Sequence, residues 1–181
     1  MKYNFDTIID RSLSDCEKYR NNDAVFGTSD LLPLWIADMD FASGEFIIDA
    51  LVARARHGVL GYGCRCDSFW EAIRYWLDKH TSWKVEKQWL EFSPGVVAGV
   101  VFAMQSVSSV GDGILIQPPV YHPFANVIRH NGRRVVDNPM VQDENGDYHI
   151  DFEDFEQKVR QVKAFILCNP QNPTGRVFTL E

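Results

Sequence analysis

The amino-acid sequence predicts an α/β fold, a mainly parallel sheet with flanking helices preceded by an irregular N-terminal arm. Two observations carry that prediction. From Trp89 onward, short apolar runs of strand length alternate with helical stretches of about three turns, the pattern of strands buried beneath helices on both faces. Before them, the first forty residues lack periodicity and are broken by Gly27-Thr28-Ser29-Asp30 and Pro33. A segment so punctuated is expected to drape over a neighbouring surface instead of building a core. The division expected is an arm over residues 1–42 and a large α/β domain over 43–181.

Taken in order, Ser43 is placed to cap a helix carrying Phe46, Ile47, Ala50 and Leu51 at helical spacing, with Gly58 as its stop. Gly61-Tyr62-Gly63 reads as a loop. Ser68-Phe69-Trp70-Glu71 has the form of a capping box, leading a helix with a buried stripe of Phe69, Ile73, Trp76 and Leu77. Leu90-Glu91-Phe92 is expected as a short strand, Gly95 to Val107 as an apolar helix, and Gly113 to Gln117 as a buried strand. His122 to Asn131 follows as helix and Arg133 to Val136 as strand. Asn145-Gly146 marks a tight turn. Asp151 caps a helix bearing Phe152, Phe155, Val159 and Val162, and Ala164 to Cys168 is a further buried strand. The sequence then stops after a strand and turn, at Thr179-Leu180-Glu181, which predicts a partial sequence, since a sheet ending there keeps an unpaired edge.

Composition removes several functions. The 45% hydrophobic and 24% charged content across 181 residues suits a globular chain, not a disordered or fibrous one. No apolar run approaches the roughly 20 residues that span a bilayer. The opening Met1-Lys2-Tyr3-Asn4-Phe5-Asp6 lacks the layout of a signal peptide, so the expected compartment is the cytoplasm. A net charge of −7 with scattered Lys and Arg argues against a nucleic-acid groove. Cys64 and Cys66 are separated by one residue, and Cys16 and Cys168 have no ligand-spaced partners. Four free thiols and no metal site are expected.

Three segments could carry chemistry. Phe92-Ser93-Pro94-Gly95-Val96-Val97-Ala98-Gly99 joins a strand to a helix start, where the leading N–H groups lack intrahelical partners and favour an anion. The same turn serves many α/β proteins, so alone it leaves both readings open. Gln117-Pro118-Pro119-Val120-Tyr121-His122-Pro123 leaves the C-terminal end of a buried strand, where open sheets bind ligands. There Tyr121 could stack on a flat ring or pack under its own loop. Asn169-Pro170-Gln171-Asn172-Pro173-Thr174-Gly175 also follows a buried strand, with prolines and glycine fixing a backbone that presents short amides. No Gly-x-Gly-x-x-Gly or Gly-x-x-x-x-Gly-Lys-Ser/Thr pattern occurs, which disfavours a nucleotide cradle.

In this order and spacing, these segments resemble the fold-type-I pyridoxal-phosphate (PLP) enzymes of the aminotransferase class I/II superfamily, and within them the cystathionine β-lyase branch. Trp35-Ile36-Ala37-Asp38-Met39-Asp40-Phe41, His57-Gly58-Val59-Leu60-Gly61-Tyr62-Gly63, Pro118-Pro119-Val120-Tyr121 and the Asn169–Gly175 loop carry the resemblance, which runs from Phe5 to Glu181. It implies a partial aminotransferase-like large domain with pyridoxal 5'-phosphate as cofactor. Gly95, Val96 and Val97 would hold its phosphate through backbone N–H groups, Tyr121 would stack on its ring, and Asn172 would hydrogen-bond the 3-hydroxyl oxygen. Tyr62 would reach the phosphate of a second subunit in a homodimer, and Ala37 and Asp38 would lie near the substrate carboxylate. Asp38 and Asp40 read equally well as solvated or capping residues.

The resemblance further implies β-elimination from a sulfur amino acid, cystathionine or a cysteine S-conjugate, releasing thiol, pyruvate and ammonia in methionine biosynthesis. Transamination on the same cofactor is the alternative, and a non-catalytic remnant acting through subunit contacts another. Members of that branch carry the Schiff-base lysine beyond the stretch that matches here. Lys2, Lys18, Lys79, Lys84, Lys87, Lys158 and Lys163 all read as surface residues. No catalytic residue is therefore assigned, and these 181 residues alone are expected to be inactive.

Overall fold

The computed structural model describes residues 3–11 and 14–179. The chain divides into two compact units, Met1–Phe69 and Trp70–Glu181. The boundary falls inside a helix.

The N-terminal unit is more regular at its start than its sequence suggests. Helix α1 (Glu17–Arg20) and helix α2 (Asn22–Phe26) follow one another, and α2 ends on Gly27 in the left-handed conformation at φ 74°. Both are too short to show a periodic apolar stripe, which hides them from a pattern search. Helix α3 (Glu45–Arg56) is capped by Gly44, not Ser43, without a side-chain hydrogen bond. Helix α4 (Asp67–Thr81) begins before Ser68, so the expected capping box does not form there. The Ser68 hydroxyl instead lies 3.0 Å from Cys66 Sγ. No residue of α4 is fully buried; of the expected stripe, Trp76 is 62% exposed while Ile73 and Leu77 are half-buried.

In the second unit the alternation of strand and helix is as expected. A single 3-10 turn, Lys87–Trp89, leads to Leu90, whose backbone is extended (φ −99°, ψ 124°). No described strand pairs with 90–92, so the strand expected there is absent among the described residues. Helix α5 (Val96–Val107) is followed by strand β1 (Gly113–Ile116), helix α6 (Pro123–His130) and strand β2 (Arg134–Asp137). A hairpin of β3 (Val141–Gln142) and β4 (Tyr148–His149) turns through Asn145 and Gly146, the latter at φ 88°. Helix α7 (Phe152–Val159) and strand β5 (Ala164–Phe165) complete the unit. Asp151 caps α7 as expected, accepting from the Asp154 N–H at 3.0 Å.

The sheet has strand order β2-β1-β5, all parallel, with Ile114 opposite both Val135 and Ala164. Strand alternation then assigns the faces. Ile114 and Ile116 join Met104 of α5 and Phe124 and Ile128 of α6 in the core. Leu115 and its partner Phe165 point the other way, where Phe165 meets Phe155 of α7 edge-on at 5.2 Å. Helices therefore cover both faces, and the central strand is buried throughout.

Candidate functional site

The ends of these elements put three chain segments at one rim. Helix α5 runs back towards the start of β1: near its C-terminus Gln105 donates to Asn131 Oδ1 at 2.8 Å, just past the end of α6, which itself returns from the end of β1 to the start of the parallel strand β2. The N-terminus of α5 therefore lies at the carboxyl ends of the strands. The loop after β1, carrying Tyr121, and the loop after β5, carrying Asn172, leave that same edge because the strands are parallel. In open α/β sheets this rim is the ligand-binding edge.

At α5 the N-cap is Gly95, in extended backbone at φ 177°, and no side chain caps the first turn. That conformation suits any residue, so the backbone does not require glycine. What glycine leaves is room: a Cβ built there meets no atom within 4 Å. Ser93 braces the turn by donating its hydroxyl to the Gly95 carbonyl at 2.8 Å. The leading N–H groups have no side-chain cap and lie at the positive end of a helix dipole, which favours an anion.

Tyr121 is half-buried and held at a fixed pitch, edge-on to Phe124 with 5.5 Å between ring centroids. Asn172 is exposed, and its carboxamide makes no hydrogen bond among the described residues. Its loop is rigid nonetheless. The Gln171 N–H donates to the Arg176 carbonyl and the Gly175 N–H to the Gln171 carbonyl, each at 2.7 Å, and the Phe178 N–H donates to Asn169 Oδ1 at 3.1 Å. Gly175 turns the loop at φ 74°, a conformation that favours glycine.

The rim is also fixed from beneath by buried amides that the sequence reading passed over. The Gln117 side chain donates to Asn138 Oδ1 at 2.8 Å, and the Asn138 amide donates to Asp154 Oδ2 at 2.8 Å. Gln117 and Asn138 are 2% and 0% exposed. The Asn138 hydrogen bond, and after it Lys158, holds the Asp154 carboxyl below its usual range.

Ala37, Asp38 and Tyr62 belong to the other unit. Tyr62 is fully exposed. Asp38 and Asp40 are neither free nor capping. Asp38 Oδ2 accepts from Arg11 at 2.5 Å, and Asp40 pairs with both Arg11 and Lys18. Lys18 also donates to the Asp38 carbonyl at 2.8 Å and is 5% exposed, correcting the expectation that every lysine lies at the surface. Lys2 lies outside the described residues. The hydrogen bonds from Lys18 and then Arg11 bring the Asp40 carboxyl down to about 2, and Arg11 lowers Asp38. The Trp35 indole N–H bonds the Lys18 carbonyl and Asn22 Oδ1, both at 3.1 Å, so Trp35 to Asp40 is pinned along its length.

The four cysteines are free, and the described residues contain no group of metal ligands and no helix long and apolar enough to cross a membrane.

The parallel sheet covered by helices on both faces places the second unit in the α/β class. The chain belongs to the aminotransferase class I and II family, whose model matches residues 29–181. It is 41% identical to cystathionine β-lyase PatB of Bacillus subtilis over 98% of its length, covering 46% of that protein. Among solved structures it is similar to the PLP-bound C–S lyase of Staphylococcus hominis (TM-score 0.86, 33% identity, 99% of this chain and 46% of that one). It is also similar to cystalysin of Treponema denticola, which contains pyridoxal 5'-phosphate (TM-score 0.90, 29% identity, 99% and 46%). The chain spans about half the length of the relatives it matches.

Proposed function

We propose that this chain supplies the cofactor-gripping part of a PLP-dependent C–S β-lyase that releases thiol, pyruvate and ammonia from cystathionine or a cysteine S-conjugate. The observation that supports the reading is the parallel pairing of β1 and β5, which sends the loops carrying Tyr121 and Asn172 off the same sheet edge, beside a helix α5 with no side-chain cap. The residues fit the group: uncapped amides beside open space suit a phosphate dianion, and an unengaged carboxamide suits a phenolic oxygen.

In this reading Gly95, Val96 and Val97 bind the phosphate through their N–H groups. Tyr121 lays its ring against the pyridine by offset stacking and fixes its tilt. Asn172 donates from its carboxamide to the 3-hydroxyl oxygen. Bound PLP supplies an electron sink for the charge left when the substrate loses its α-proton. Ala37 and Asp38 orient the substrate carboxylate through backbone groups, since the Asp38 side chain is already committed to Arg11. Tyr62 reaches the phosphate of a second subunit, so the working form is a cytoplasmic homodimer, with methionine biosynthesis as its setting. Residues 1–42 act as the arm, and residues 43–181 as the part of the large domain present here.

The test joins these 181 residues to the remainder of PatB that they do not match, and assays pyruvate from cystathionine. The account expects PLP-dependent pyruvate release that falls at least tenfold in Asn172→Ala. Amino-group transfer to a keto acid without pyruvate release would select transamination instead.

A further inference from the structure

Gln171, between the two Asn-Pro pairs of its loop, is 2% exposed. Its side-chain Nε2 donates to two carbonyls on another segment, Gln117 and Pro119, each at 2.9 Å and more than fifty residues away in sequence. The amide cannot be turned over, because that would aim Oε1 at both carbonyl oxygens. Oε1 is left buried with no hydrogen-bond partner, and a buried polar group left so needs a reason to be kept.

The placement suggests one. Gln171 precedes Asn172 directly, and Pro119 lies two residues before Tyr121. The Gln117 carbonyl is itself steady, since that residue's side chain is anchored on Asn138. One side chain thus ties the loop presenting the amide to the loop presenting the ring. We propose that Gln171 is a positioning residue for the cofactor ring, setting the separation of Tyr121 and Asn172. This rests on the PLP reading above.

The test uses the 181-residue chain and pyridoxamine 5'-phosphate, which has no aldehyde to react with surface lysines. Gln171→Met keeps length and loses both donors. It is expected to weaken pyridoxamine phosphate binding at least tenfold. It should also speed hydrogen exchange at Met140 and Gly175, whose amides bond Pro118 and Gln171, while β1 and α6 keep their protection. Gln171→Glu adds a pH signature: ionised it cannot donate, whereas its protonated carboxyl donates one hydrogen bond. Its affinity, relative to wild type at the same pH, should recover on acidification. Should Gln171→Met fail to fold, Gln171→Glu decides, and a pH-independent ratio there overturns the proposal. Wild-type affinity in Gln171→Met overturns it too, with the cofactor reading intact. A wild-type chain that binds no pyridoxamine phosphate overturns the cofactor reading itself, and the exchange data then report only whether the two loops are tied.

Discussion

The two units of this chain are held by different physics. In the N-terminal unit the buried residues include Lys18 and Asn22, and order comes from charges and hydrogen bonds around Arg11, Lys18, Asp38 and Asp40. In the second unit Ile114, Leu115 and Ile128 are fully buried and helices close over both sheet faces. Apolar burial does not titrate, whereas an ion-pair network does. The pinned Trp35–Asp40 segment and the sheet rim should therefore fail under different conditions.

The largest effect should come from the core. Ile128→Ala removes a fully buried side chain and should destabilise the second unit by about 2–5 kcal/mol, read by chemical denaturation with exchange at β1 and β2. An equal loss of protection at residues 14–20 would show that the units do not melt separately.

Next comes the buried amide beneath the rim. Asn138→Leu removes the acceptor of the Gln117 side-chain donor and one of the donors to the Asp154 carboxylate, which keeps Lys158, at a cost of about 1–3 kcal/mol. Asn138→Asp, which keeps an acceptor for Gln117 but sets a second carboxylate against Asp154, should recover only part of that. Denaturation midpoints check both.

Smaller, and confined to the other unit, is an acid transition. Asp38 and Asp40 have folded values below 3.8, Asp40 at about 2. A depressed carboxyl contributes fully above its unfolded value and loses that contribution as the pH falls through the folded one. Protection around residues 35–41 should therefore fade between about pH 4 and 2, while β1 holds. Asp40→Asn should flatten this dependence. The Asp154 carboxyl is also lowered, so a shallow acid response at α7 belongs to the same account, but one at β1 does not.

The part of the molecule legible in sequence is the part made by apolar periodicity. Helices α5 and α6 and strands β1 and β2 fall within a residue or two of expectation, because Val, Ile and Phe at the right spacing leave little choice, while α7 starts as expected but ends at Val159, short of the Val162 expected in it. Strand β5 is shorter than the run that predicted it, since only Ala164 and Phe165 pair with β1. Leu90 has extended backbone, but residues 90–92 join neither described sheet, and a strand is defined by its pairing in a ladder. The rim segments were visible as Pro/Gly-bounded motifs after apolar strands. Gln171 and Asn138 were not, because a buried amide is recognised by what it bonds across space. A long amide amid Asn and Pro was the single hint. The Arg11–Lys18–Asp40 network was hidden for the same reason: charges more than twenty residues apart show no pattern until the chain folds.

The central claim is that the α5 amides, the Tyr121 ring and the Asn172 carboxamide act on one ligand. Titrating isotope-labelled chain with pyridoxamine 5'-phosphate and following the Val96 and Val97 N–H, the Tyr121 ring and the Asn172 side-chain NH2 by NMR tests it directly. All four should shift along one saturation curve. Saturation of one set while the others stay still, or two curves with different midpoints, would contradict it.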